Sequence, residues 1–390
     1  MPVENVKKTY DVREVSELFC FEGKFVSSEL CGRGHINETH IVCFNTKGAL
    51  KRYILQRINT YVFKDPFRLM ENVRRVTEHQ HRKLREAGFA DTLRRALTLI
   101  PAKEGGCCCR HPDGSVWRAY HYIEESENFD TISDPICAYQ AARAFGRFQT
   151  QLADLPPPRL HETIPDFHNT PRRFEALEKA IEADAFNRAS KAREEIAFAV
   201  GRKGMTSLLV DKFAQGAIPE RITHNDTKMN NVMLDARTRE GLCVIDLDTV
   251  MPGLALYDFG DMVRSGTNPA AEDEKDLSKV NVDMSLFRAL ADGYLEATHS
   301  ILVPAEREYL AFSGRLISFE IGIRFLTDYL SGDVYFRIHR PEHNLDRCRT
   351  QFKMTASIEE HEEEMRRYVQ SWEPGRSEGL FSPVAGRRSA

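Results

Sequence analysis

Residues 222–235 read ITHNDTKMNNVMLD, and a strand later the chain gives CVIDLDTVMPG from Cys243 onward. His224, Asp226 and Asn231 form the pattern H-x-D-x-x-x-x-N, and Asp246 follows it. Phosphoryl transfer from a nucleotide needs a carboxylate beside the acceptor hydroxyl and oxygen ligands that hold magnesium against the phosphates. Asp226 suits the first role, and Asn231 and Asp246 suit the second. A lone loop aspartate is more often a turn former. Here the order, the spacing and the apolar strand before Asp246 agree with one mechanism. His224 reads as a brace for the loop backbone and not as a reacting group.

Ile222 on one side and Val232, Met233 and Leu234 on the other anchor these polar residues, as in an active-site loop between two buried strands. A chain of 390 residues fits two lobes sharing a cleft. The first lobe, residues 1–124, reads as a small antiparallel sheet with one helix. FVSSELCGRGHINETHIVCFN gives strand, glycine turn and strand, and LKRYILQRI gives a third. Leu69, Val73, Val76 and Leu84 then follow helical spacing between a start at Asp65-Pro66 and a stop at Gly88. LTLIPA and VWRAYHYI read as two further strands around the turn Asp113-Gly114. The strand pattern is lost in EESENFDTISDP. The second lobe, 125–372, reads as mainly helical through PICAYQAARAFGRFQTQL, RRFEALEKAIEAD, SLFRALADGYLEATHS and EREYLAFSGRLISFEIGIRFLTDYL. The composition of residues 373–390 reads as a mobile tail. The fold class is therefore α+β.

Hydrophobic residues at 42% and charged residues at 29% are ordinary for a globular protein, and a net charge of -4 leaves no basic footprint for nucleic acid. The expected substrate is small. No apolar run is long enough for a signal peptide or membrane span, so a cytoplasmic protein is expected. The nine cysteines then read as free thiols. Cys107, Cys108 and Cys109 alternate faces in an extended chain, which suits a hairpin segment without chemistry.

The motifs together resemble the aminoglycoside phosphotransferase and choline kinase superfamily, small-molecule kinases with a bilobal protein-kinase-like fold. Within it, the chain is similar to the N-acetylhexosamine 1-kinase family. The similarity runs through GRGHINETH, LQRIN, WRAYHYIE, THNDTKMNNVMLD, VIDLDTVMPGLALYDFGD, AEDEKDLSKV, RFLTDYLSGDVYF and HNLDRCRTQ. It implies ATP and magnesium, and transfer of phosphate to the anomeric hydroxyl of an N-acetylhexosamine such as GlcNAc or GalNAc. Asp226 is then the implied base and Asn231 and Asp246 the implied magnesium ligands. Asp248, on the same side of the strand as Asp246, is a further ligand candidate acting through water.

The loop from Cys31 to Glu38 resembles the glycine-rich turn over nucleotide phosphates, with Gly32, Gly34, His35 and Asn37 as contacts. Kinases of this fold usually place a lysine in the third strand to hold the phosphates. Gln56 stands there, Arg57 points to the other face, and neutralisation then leans on magnesium and backbone. Tyr122 and Ile123 lie in the region where adenine would meet the backbone. Arg324, Asp328, Tyr335 and His343 are the implied sugar contacts, although Arg324 and Asp328 also read as an ordinary i, i+4 ion pair. Asp258 and Asp261 in YDFGD read as helix caps that tie the metal-binding strand to the helical lobe. Glu71, Glu78 and the acidic residues of AAEDEKDL read as solvated. A kinase of the same fold acting on an amino alcohol, aminoglycoside or other polyol is the alternative, followed by an inactive nucleotide-binding relative.

Overall fold

The computed structural model describes residues 10–31 and 36–376. The chain divides into two compact units between Glu124 and Glu125.

In the first unit a short helix α1 (Val12–Ser16) precedes strands β1 (Lys24–Leu30), β2 (Glu38–Thr46) and β3 (Ala49–Ile58). The helix α2 (Pro66–Glu86) follows, then α3 (Thr92–Arg95), β4 (Cys109–Arg110) and β5 (Val116–His121). The five strands form one antiparallel sheet in the order β1-β2-β3-β5-β4. Apolar alternation buries Val42, Phe44, Tyr53, Leu55, Trp117 and Ala119 on one face with Val15 and Phe19. α2 starts because Pro66 presets the first turn and the Asp65 carboxylate accepts from Arg68 N, a cap of about 1 kcal/mol. It buries Leu69, Met70, Val73, Val76 and Leu84.

The strand expected at LTLIPA does not form. Residues 97–102 make only isolated bridges, Leu99 with Tyr120 and Ala102 with Phe19, and the β5 edge pairs with Cys109–Arg110 instead. Pro101 cannot donate to a ladder, which limits any strand there. Cys107 Sγ donates to the Met70 carbonyl, and all nine cysteines are free thiols.

The second unit runs β6 (Ser126–Glu127), α4 (Pro135–Leu152), α5 (Thr170–Ala183), α6 (Arg193–Val200), α7 (Leu208–Ala214) and β7 (Arg221–Thr223). Strands β8 (Val232–Asp235), β9 (Gly241–Val244) and β10 (Met251–Gly253) then lead to α8 (Ala255–Gly266), α9 (Met284–Thr298), α10 (Pro304–Leu330) and α11 (His343–Gln370). β7 pairs with β10, and β8 lies between β6 and β9. α10 packs along α11, α8 and α5, with Phe174, Phe319, Ile323, Leu326 and Phe352 in one core. α8 lies tight on α10: a Cβ on Gly260 would sit 2.5 Å from the Ser313 carbonyl oxygen. The sequence patterns did not reveal α8 or α11. α11 carries the acidic run EEHEEE around its whole circumference, mostly half-buried with Glu359 paired to Arg202 and Glu362 to Arg315, and this run masks the apolar stripe of Leu345, Phe352, Ile358 and Met365.

Among the described residues no helix is long and apolar enough to cross a membrane. The acidic segment around 272–274 is not simply a solvated face. Asp273 pairs with Arg340 and His343, and Glu272 pairs with Arg264 and Arg347.

Candidate active site

The loop after β7 is held from every side. Asn225 adopts a left-handed φ of 64°, and its backbone N–H donates to Asp258 Oδ1 at 2.7 Å. Asp258 Oδ2 accepts from His224 N at 2.9 Å and from Gln149 Nε2 at 2.6 Å, while the Asp258 carbonyl accepts from the Thr227 hydroxyl. Burial pushes the Asp258 carboxyl up, against the hydrogen bonds it accepts from His224 N, Asn225 N and Gln149. Asp258 therefore does not cap α8 but fastens the loop backbone, and α8 has no side-chain cap. Asp261 ion-pairs with Arg264 one turn on. Only glycine fits at 253, where a Cβ would meet Thr223 Oγ1 at 2.3 Å.

His224 is fully buried and joins two segments. Its Nδ1 accepts from Asp226 N at 3.2 Å, and its Nε2 donates to the Ile245 carbonyl at 2.9 Å. That pattern assigns one proton, on Nε2. The N–H of Ile245 in turn donates to the Asn231 carbonyl at 2.9 Å. Both peptide groups of Ile245 are thereby fixed just before Asp246, which takes a left-handed φ of 59°. β9 ends at Val244, and residues 247–249 form a 3-10 turn in which Asp248 is buried. The same-side strand argument for Asp248 consequently fails, because neither aspartate lies in a strand.

Asp226 remains 26% exposed. Its Oδ2 accepts from Asn231 Nδ2 at 3.1 Å and lies 3.2 Å from Lys228 Nζ. Burial would raise the Asp226 carboxyl, but Lys228 and other cationic neighbours carry it below the usual carboxylate value. The same attraction, with Asp246 and Asp261 nearby, pushes the Lys228 ammonium up to about 12. Lys228 was not singled out in the sequence, although a lysine two residues after the candidate base was the available signal. With its Nδ2 committed to Asp226, the Asn231 amide presents its oxygen as an acceptor. Among the described residues no three His, Cys, Asp or Glu side chains converge as a metal site. Asn231 and Asp246 could still hold a magnesium ion, since that ion keeps waters and phosphate oxygens as its other ligands.

Behind the loop, His168 Nε2 donates to the Asn225 carbonyl at 2.9 Å, and His168 Nδ1 lies 2.8 Å from Glu320 Oε1. The adjacent Phe167 ring faces the Arg324 guanidinium at 5.3 Å, with Tyr335 at 6.0 Å and Phe336 at 5.6 Å. Arg324 is not paired with Asp328. The Asp328 carboxylate instead accepts from the N–H groups of Val334, Tyr335 and Phe336 and from Asn344 Nδ2, all between 2.8 and 2.9 Å. Asp328 thus builds the turn that displays Tyr335, itself 51% exposed. His343 is buried between the His339 N–H and Asp273. No motif or spacing marks His168. Glu320, a carboxylate inside the apolar run LISFEIGIRF, was a readable sign of a buried partner.

In the first unit, Gly32, Gly34 and His35 lie outside the described residues. Asn37 Oδ1 accepts from Asn59 N at 2.9 Å, and Gln56 Nε2 donates to Thr39 Oγ1 at 2.8 Å. Arg57 pairs with Glu38. Tyr122 lies beneath the Arg52 guanidinium, Ile123 is buried, and the Glu124 carbonyl accepts from Arg94 Nε. Glu78 pairs with Arg74 on the solvated side of α2.

Residues 39–308 match the phosphotransferase enzyme family. The chain belongs to that family. The phosphotransferase fold, with its antiparallel sheet and its helical second part, is shared with an aminopropanol kinase associated with a microcompartment. That likeness has 14% identity and a TM-score of 0.54, and covers 91% of this chain and 97% of the other. A spectinomycin phosphotransferase in complex with ADP and spectinomycin gives 14% identity and a TM-score of 0.51 over 90% and 97% of the two chains. Its AMP-bound complex gives 12% and 0.55 over 93% and 98%. This phosphotransferase therefore has the architecture of kinases that act on small molecules.

Proposed function

We propose that this protein transfers the terminal phosphate of ATP to the anomeric hydroxyl of an N-acetylhexosamine. The observation that carries the reading is the constellation around Asp226. A partly exposed carboxylate is aimed by His224 and Asn231, flanked by the Lys228 ammonium, and joined through Ile245 to Asp246. Asp226 accepts the hydroxyl proton and orients the oxygen. An anomeric hydroxyl is more acidic than an ordinary alcohol, so a weakly basic carboxylate suffices. Lys228 stands ready to meet the charge of the transferred group. Asn231 and Asp246 would hold magnesium, which supplies charge stabilisation across the phosphates. Nucleotide complexes of the spectinomycin phosphotransferase support the assignment of an adenine nucleotide.

The acceptor assignment rests on Arg324. A guanidinium enclosed by Phe167, Tyr335 and Phe336 repels a cationic amine and offers directional donors and ring surfaces to a neutral sugar. Phe167 and His168 are consecutive, so the wall of this aromatic cage continues into the residue that holds Asn225. The test is ADP release with magnesium and ATP across a panel of N-acetylhexosamines, amino alcohols and aminoglycosides. Turnover confined to the neutral N-acetylated sugars supports the reading. Turnover with an amine alone transfers the chain to the amino-alcohol or aminoglycoside kinases.

A further inference from the structure

Most polar groups in the wall formed by Phe167, His168 and Arg324 are spent on one another. Glu320 Oε1 lies 2.8 Å from His168 Nδ1, and Glu320 Oε2 accepts from the Thr170 hydroxyl at 2.6 Å. His168 Nε2 is committed to the Asn225 carbonyl. Two donors in the same wall are not committed. The Arg324 guanidinium faces three rings and has no hydrogen-bond or ion-pair partner among the described residues. The Tyr257 hydroxyl has none either. We propose that Tyr257 is a specificity-determining residue of the sugar site, and that its hydroxyl donates a hydrogen bond to the acetamido carbonyl oxygen of the N-acetylhexosamine. The proposal rests on the sugar reading above and names the side chain that would recognise the acetamido group.

Tyr257 and Asp258 are neighbours in the first turn of α8, so their side chains leave the helix roughly 100° apart. Asp258 turns to the backbone of His224 and Asn225. Tyr257 turns to His168: the two rings lie 5.0 Å apart at a tilt of 39°, and the His168 ring lies 4.7 Å from that of Phe167. Tyr257, His168, Phe167 and Arg324 thus form a continuous row, each member facing the next. The row runs from the support of Asn225, the residue before Asp226, to the aromatic cage around Arg324.

Tyr257 is only 7% exposed. A phenol withdrawn from water without a partner costs free energy, and folded proteins rarely leave one in that state. The accessible remainder of the residue includes the hydroxyl oxygen, so a bound molecule can reach it. Burial, with the Glu320 charge nearby, pushes the ionisation of this hydroxyl up, so it keeps its proton and can donate. The chemistry of the wall decides what it donates to. A sugar hydroxyl both donates and accepts, and the carboxylate of this wall already has His168 and Thr170 on its two oxygens. An amide carbonyl oxygen only accepts, and it matches a wall that offers donors. The methyl group beside it gains apolar contact with the rings of Tyr257 and Phe167.

The experiment compares the parent chain with Tyr257→Phe, using ATP and magnesium with N-acetylglucosamine and N-acetylgalactosamine. Glucose and galactose, which lack the acetamido group, are followed alongside as substrates or as competitive inhibitors. Because the hydroxyl has no protein partner, Tyr257→Phe should keep the parent melting temperature or raise it. The expected loss in kcat/KM for the N-acetylated sugars is about tenfold, with the KM for ATP and the constants for glucose and galactose unchanged. An unchanged kcat/KM for the N-acetylated sugars overturns the proposal. Equal losses for both kinds of sugar, the mark of a structural defect, overturn it as well. A parent chain that does not turn over the N-acetylated sugars overturns the sugar reading itself. That result is distinct from a parent that turns them over and a variant that does so equally well.

Discussion

The His168 imidazole lies 2.8 Å from the Glu320 carboxylate, and both residues are buried. Both ring nitrogens face oxygens, the Asn225 carbonyl and Glu320, an arrangement that suits an imidazolium paired with a carboxylate. Burial works against the charged His168, yet Glu320 and the Asn225 carbonyl raise it above its ordinary 6.5. Burial likewise opposes the Glu320 charge, while His168 and the nearby Arg324 lower it from 4.5. The raised His168 contributes stability that is complete below pH 6.5 and lost as pH climbs through its folded value. The lowered Glu320 contributes stability that is complete above pH 4.5 and lost as pH falls through its folded value.

Glu320→Gln should therefore destabilise the protein by about 3–5 kcal/mol in the window between those two values, and by less on either side. Denaturant unfolding at a series of pH values measures this. A pH-independent difference would contradict the buried ion pair. Because His168 holds the peptide just before Asp226, His168→Gln should lower kcat more than it raises the KM for ATP.

Lys228 sets the protonation of Asp226. Lys228→Met removes the main attraction that lowers the Asp226 carboxyl, so the acid limb of the kcat profile should move to higher pH. A kcat loss of about 10- to 100-fold at neutral pH is expected as well, from the lost charge at the transferred group. An unshifted acid limb would contradict the coupling between these two residues.

Arg324 and Asp328 should separate in kinetics and stability. Arg324→Ala removes a group of the proposed acceptor cage and should raise the acceptor KM about tenfold or more with little change in melting temperature. Asp328→Ala strips one partner from three backbone N–H groups and from Asn344, and should cost about 2–4 kcal/mol of stability as well. Equal melting temperatures for the two variants would count against the structural role of Asp328.

Much of the site was legible in sequence because it is local. His224, Asp226, Asn231 and Asp246 fall within 23 positions of one another on two strands and their loops, and spacing alone brings them together. Helix starts such as Asp65-Pro66 and Asp134-Pro135 were legible for the same reason. The long-range contacts were not. Asp258 holds a loop more than thirty residues back in the chain, His168 reaches Glu320 across 152 positions, and Gln56 meets Arg118 across 62. None of these pairs leaves a periodic trace. The ion pair between Arg324 and Asp328 does not form, because helical spacing is a local pattern whereas the partners of Asp328 lie in a turn that only the folded chain creates.

Phosphorus NMR of the product tests the central claim most directly. The protein is incubated with ATP, magnesium and an N-acetylhexosamine, with Asp226→Asn as the control. The account predicts a new phosphate ester coupled to the anomeric proton, formed at least about 100-fold more slowly by Asp226→Asn. A phosphate on any other sugar position, no phosphorylation of N-acetylhexosamines, or an Asp226→Asn variant that turns over like the parent would contradict it.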